Sequence, residues 1–158
     1  MNEYNNLMLN KFFILLFLLI LPQCGYSPVY KNLEKSNFQL IITEKDGDKI
    51  INNIIEREIK RNTDSNVKNI YYIKLDTDYE KNVISKDAKG LASNYQIKLK
   101  AIFKITNDNL NKEIIFEEKH NMEKISDYFD EKNYENNIKN NFGLSVINKL
   151  KLELLNIE

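Results

Sequence analysis

The stretch from Tyr95 to Ile105 constrains the fold of this chain more than any other. Tyr95, Ile97, Leu99, Ala101, Phe103 and Ile105 alternate with Gln96, Lys98, Lys100 and Lys104, and only Ile102 breaks the pattern. Successive side chains of a strand point to opposite faces, so this period of two predicts one long strand with an apolar side and a lysine-bearing side. Such a strand needs a sheet around it and a second layer over its apolar side. Asn107-Asp108-Asn109 is a turn signal, and Ile114 to Lys119 reads as the antiparallel partner beyond it. Upstream, Ile70 to Asp76 alternates in the same way, with Tyr71, Ile73 and Leu75 on one side. Phe38 to Thr43 is a short β-branched strand closed by the turn formers Asp46-Gly47-Asp48.

Helical spacing supplies the second layer. From Lys49 to about Arg61 the isoleucines at 50, 51, 54, 55 and 59 make one apolar stripe, with Glu56, Arg57, Glu58 and Lys60 outside it. A last helix is predicted from roughly Glu131 to Leu155 on the stripe Tyr134, Ile138, Phe142, Val146, Leu150 and Leu154, slightly weakened by Gly143. Asp127, Asp130 and Glu131 at its start suit the helix dipole. The expected fold is an α+β two-layer sandwich in the order β-α-β-β-β-α. Both helices pack on one face of a mostly antiparallel four-stranded sheet, and the lysine-bearing face is left open.

The N-terminus carries a different message. Lys11 precedes the run Phe12 to Leu21, and the chain's sole cysteine, Cys24, follows after Pro22 and Gln23. Charge followed by a short apolar run is the layout of a secretory signal peptide, and the run is short for a bilayer span. A lone cysteine has no internal disulfide partner, which leaves another chain, a free thiol or covalent modification. Leu21-Pro22-Gln23-Cys24-Gly25 resembles the lipobox of bacterial lipoproteins, in which the cysteine becomes the acylated first residue after cleavage. Leu21 matches that pattern, and Gln23 stands where a small residue is usual. The alternative is a signal-anchor helix with an incidental cysteine. Lipidation would supply about 0.8 kcal/mol of anchoring per buried methylene, so no membrane-spanning helix would be required. The expected organisation is a signal peptide over residues 1–23, a lipidated linker over 24–36 and one domain over 37–158.

Without its first 23 residues the chain loses one acid, Glu3, and one base, Lys11, leaving 22 of each sign. Net charge therefore says nothing about partners, and the remaining length suits one domain. No catalytic set stands out. His120, the only histidine, has no serine or cysteine motif beside it. Asp76, Asp78, Glu117 and Glu118 lack the loop glycines of a calcium site, and Gly47 and Gly90 stand apart from any phosphate-binding glycine loop. No cofactor or metal is expected. Lys98, Lys100 and Lys104, with Lys74, Lys86 and Lys89 near them, could receive an anion, or could simply keep an exposed strand face soluble and protected from edge pairing. Export removes nucleic acid from consideration and leaves anionic lipid or glycolipid.

Cys24-Gly25-Tyr26-Ser27-Pro28-Val29-Tyr30 resembles the Cys-Gly-aromatic start of the LptE-type (RlpB) lipopolysaccharide-assembly lipoproteins. The predicted element order resembles that family's, and Ala92-Ser93-Asn94-Tyr95-Gln96 is similar to the stretch that opens its long strand. The resemblance implies a non-enzymatic outer-membrane lipoprotein, held on the periplasmic side by its lipid anchor. It implies a plug that helps an LptD-like outer-membrane β-barrel assemble and that contacts lipopolysaccharide in transit. The family's basic ligand contacts would fall on Lys86 or Lys89, in the loop before the long strand, and on Lys132, just before the last helix. The alternative is a general periplasmic lipoprotein that binds another lipid or scaffolds another envelope complex.

Overall fold

The computed structural model describes residues 38–61, 67 and 69–156. Cys24, with the expected signal peptide and linker, lies outside them. Among the described residues the order is β1 (Phe38–Gly47), α1 (Lys49–Arg61), β2 (Asn69–Lys86), β3 (Ala92–Thr106), β4 (Asn111–Glu123) and α2 (Tyr128–Leu155). The strands form one sheet in sequence order. β1 runs parallel to β2, with α1 as the crossover, and β2, β3 and β4 form two antiparallel hairpins. This is the expected α+β sandwich.

One sheet face carries the core. Tyr71, Ile73 and Leu75 of β2, Ile97 to Ile105 at odd positions of β3, and Ile114 and Met122 of β4 are buried against Ile51, Ile55 and Ile59 of α1 and Val146, Ile147, Leu150 and Leu154 of α2. The β1–α1 turn is fixed onto β2 at Thr77. Gly47 has φ +89°, and a β-carbon there would lie 1.8 Å from the Thr77 carbonyl oxygen. The Asp48 amide donates to that carbonyl at 3.2 Å and to Thr77 Oγ1 at 3.0 Å, and Thr77 Oγ1 donates to Asn52 Oδ1 at 2.9 Å. Asp48 Oδ1 in turn accepts from the Ile50 and Ile51 amides, capping α1.

Several boundaries and side-chain positions differ from the sequence expectation. β2 continues ten residues past Asp76, because its inward positions change from Ile and Leu to Thr77, Tyr79 and Lys81 without breaking the strand. α2 begins at Tyr128, where Asp127 accepts from the Phe129 and Asp130 amides. Tyr134, placed in the apolar stripe, is 41% exposed. The other five residues of that stripe, Ile138, Phe142, Val146, Leu150 and Leu154, are buried. A second row beside it, Lys139, Gly143, Ile147 and Lys151, is buried as well, so the inward face is two residues wide. In α1, Ile50 points outward, and Glu58, expected outside the stripe, is buried.

Candidate functional site

The outer sheet face is a charge checkerboard. Lys98, Lys100 and Lys104 do share it, but β2 sets Glu80 opposite Lys98 and Asp78 opposite Lys100. From the other side β4 sets Glu117 opposite Lys100 and Glu113 opposite Lys104. Lys74 and Lys104 are direct cross-strand neighbours, a repulsive arrangement that Glu44, 2.8 Å from Lys74 Nζ, and Glu113, 3.9 Å from Lys104 Nζ, offset. The β3 lysines therefore do not form a cationic patch. Near them Ile102 pairs with the exposed Ile115, so the face is mixed in polarity as well as in charge.

The three lysines nominated from the resemblance gather at one end of the sheet. Lys86 closes β2 opposite Ala92. Lys89 sits in the turn to β3, where Asp87 Oδ1 accepts from the Lys89 and Leu91 amides and Gly90 takes φ +81°. β4 ends beside the start of β3, its continuation fixed by the Lys124 amide donating to the Ser93 carbonyl at 2.8 Å, and α2 starts four residues later. Lys132, expected just ahead of the last helix, lies inside its second turn. All three are exposed, and among the described residues none of their ammonium groups has a hydrogen-bond or ion-pair partner. The same end exposes Val83, Ile84, Leu91, Tyr128 and Phe129.

Between this end and the core lies a network that sequence reasoning missed. Lys81 Nζ donates to Glu131 Oε1 at 2.9 Å and to Glu135 Oε2 at 3.0 Å, and sits 4.4 Å over the Tyr95 ring. Lys124 reaches the other oxygen of Glu131 at 2.5 Å. Tyr79 Oη donates to Glu135 Oε1 at 2.8 Å, while Lys139 lies 3.8 Å over the Tyr79 ring and reaches Asp48 Oδ2 at 2.6 Å. Burial by itself would raise the carboxyls of Glu131, Glu135 and Asp48, yet the lysine hydrogen bonds and charges more than offset it and hold all three below their ordinary values. Burial would likewise lower Lys81, and the two glutamates hold it above its ordinary value. Burial first, and then the Glu135 carboxylate it donates to, push the Tyr79 phenol far up. Odd positions of β2 face the helices, so the signal for Tyr79 and Lys81 was present once the strand was carried to Lys86.

His120 Nε2 lies 3.2 Å from Tyr134 Oη. Among the described residues no three His, Cys, Asp or Glu side chains converge closely enough to hold a metal ion, and no helix is long and apolar enough to cross a membrane.

No family model and no curated protein matches the sequence. Among solved structures, rare lipoprotein B from Shewanella oneidensis is similar over 76% of this chain and 97% of its own, with a TM-score of 0.57 at 9% identity. The chain has the fold of rare lipoprotein B. The likeness is one of fold and rests on backbone geometry. A putative lipoprotein from Caulobacter crescentus aligns over 78% of this chain and 90% of its own at 8% identity and a TM-score of 0.48. A minor lipoprotein from Acinetobacter baumannii aligns over 73% and 92% at 9% identity, again at 0.48.

Proposed function

We propose that this protein is a lipid-anchored outer-membrane lipoprotein that plugs and helps assemble an LptD-type β-barrel and takes part in lipopolysaccharide transport. The observation that carries the reading is the rare lipoprotein B fold on a chain whose leader ends in Leu21-Pro22-Gln23-Cys24. Cys24 carries the acyl anchor on the periplasmic side. Lys86, Lys89 and Lys132 receive the phosphates of lipopolysaccharide, a role that compact ammonium charges on exposed stems suit. The protein acts by binding and shape, not by turnover.

Depletion of the protein tests the reading. The expected result is a misassembled surface barrel and blocked lipopolysaccharide export, with barrel and lipoprotein co-purifying in equal amounts from solubilised membranes. A correctly assembled barrel and intact export after depletion would sink it and turn attention to a general periplasmic scaffold.

A further inference from the structure

α2 holds the sheet by two different chemistries along its length. From Ile138 onward its inward residues Phe142, Val146, Ile147, Leu150 and Leu154 are core, and Gly143 lets it approach Ile54 of α1 closely. From Tyr128 to Asn137 no apolar side chain is buried. Tyr128 and Phe129 are 67% and 73% exposed, Tyr134 leans on His120, and the inward positions are Glu131 and Glu135. We propose that residues 128–137 form a strap that opens from the sheet as a unit while 138–155 stays docked, with Lys81, Glu131 and Glu135 as its latch.

Apolar burial does not depend on charge, whereas residues 128–137 are held by ion pairs and charged hydrogen bonds, so removing one charge loosens one half of the helix and not the other. Local openings of this kind have their own free energies, well below that of global unfolding. The groups that face the latch are Tyr79 and Lys81 from β2, Tyr95 from β3, His120 from β4 and Lys124 from the loop before α2. Lys139, bound to the α1 cap Asp48, stands at the hinge. Ile97 and Met122 are fully buried on the same sheet face as Tyr79 and Tyr95. An opened strap therefore frees Tyr79 and Lys81, the latter stacked on Tyr95, a surface aromatic and cationic together.

Hydrogen exchange on the full chain tests the strap without reference to barrel or lipopolysaccharide. In Lys81→Met, which keeps most of the stem and removes the charge, amides 132–137 are expected to exchange on the order of tenfold faster than in the unaltered chain, and amides 142–154 less than about twofold faster. Lys81→Glu and Lys124→Glu combined with Glu131→Lys and Glu135→Lys, which reverses every charge of the cluster including the Lys124 contact, is expected to restore slow exchange. Equal acceleration of both halves in Lys81→Met, or acceleration of neither, overturns the proposal. So does a charge-swapped chain that exchanges as fast as Lys81→Met.

Discussion

Glycine plays three different parts in this chain. At Gly47 both the backbone angle and the space exclude a side chain, because a β-carbon would collide with the Thr77 carbonyl. At Gly90 the angle is similar, and nothing lies within 4 Å. Gly47→Ala is therefore expected to cost about 3 kcal/mol and Gly90→Ala only about 1 kcal/mol in urea unfolding. Similar losses at the two sites would show that the contact with β2 is unimportant. Gly143 looks like a helix weakener in the sequence, but its missing β-carbon leaves room for Ile54, whose Cγ2 would lie 2.8 Å away. Alanine there gains about 1 kcal/mol of helix propensity and forces overpacking that costs about 1–3 kcal/mol. Gly143→Ala should thus destabilise the wild type and stabilise an Ile54→Ala background, a coupling read directly from a double-mutant cycle. Close approach between two helices leaves no mark on either helix's own pattern.

At the scale of elements, the polar ladder under α2 gives the fold a defined acid sensitivity. Asp48, Glu131 and Glu135 sit below their ordinary values of 3.8 and 4.5 in the folded state. Their contribution is fully present above those unfolded values and is lost as pH falls through the lower folded ones. Stability measured by denaturant midpoint should hold steady from neutral pH to about pH 5 and decline below about pH 4. Lys81→Met should flatten that decline, and a variant falling as steeply as the wild type would place the acid sensitivity elsewhere. Lys81 itself is raised, so its contribution is present below 10.5 and lost only as pH rises through its higher folded value. The elements that hold this ladder were legible only in part. β3 and α1 were read nearly whole, since alternation and stripe there are apolar throughout. Half of β2 was not, because Thr77, Tyr79 and Lys81 occupy inward positions where pattern reading looks for aliphatic residues.

For the whole molecule, the distribution of charge separates two sets of lysines that look alike in sequence. Lys98, Lys100 and Lys104 are interleaved with Asp78, Glu80, Glu113 and Glu117 by strand register. Lys86, Lys89 and Lys132 stand at the sheet end with no carboxylate on their ammonium groups among the described residues. Changing the second set to Glu is expected to weaken lipopolysaccharide binding by on the order of tenfold or more, since about 1 kcal/mol or more goes with each charge-assisted contact. Changing the first set to Gln should alter it by less than about threefold, because each of those lysines has a carboxylate opposite it on a neighbouring strand. Equilibrium binding to both triple variants, with circular dichroism as the check on folding, decides between the two faces. The reverse ranking would move the ligand site to the outer sheet face.

What the sequence determined by itself is local in origin: the order β-α-β-β-β-α, the long strand from its period of two, the hairpin after it and the stripe of α1. Each follows from which neighbours along the chain share a face, and one face in each case is apolar enough to be read. Tertiary structure alone decided what depends on residues far apart in sequence meeting. Strand register turned an apparent lysine stripe into a neutral checkerboard. Packing of α2 on β2 created the Lys81, Glu131 and Glu135 cluster from residues some fifty positions apart. The same topology carried Lys86, Lys89 and Lys132 to one end of the sheet, where two hairpin residues and a helix turn share an end that no local pattern records.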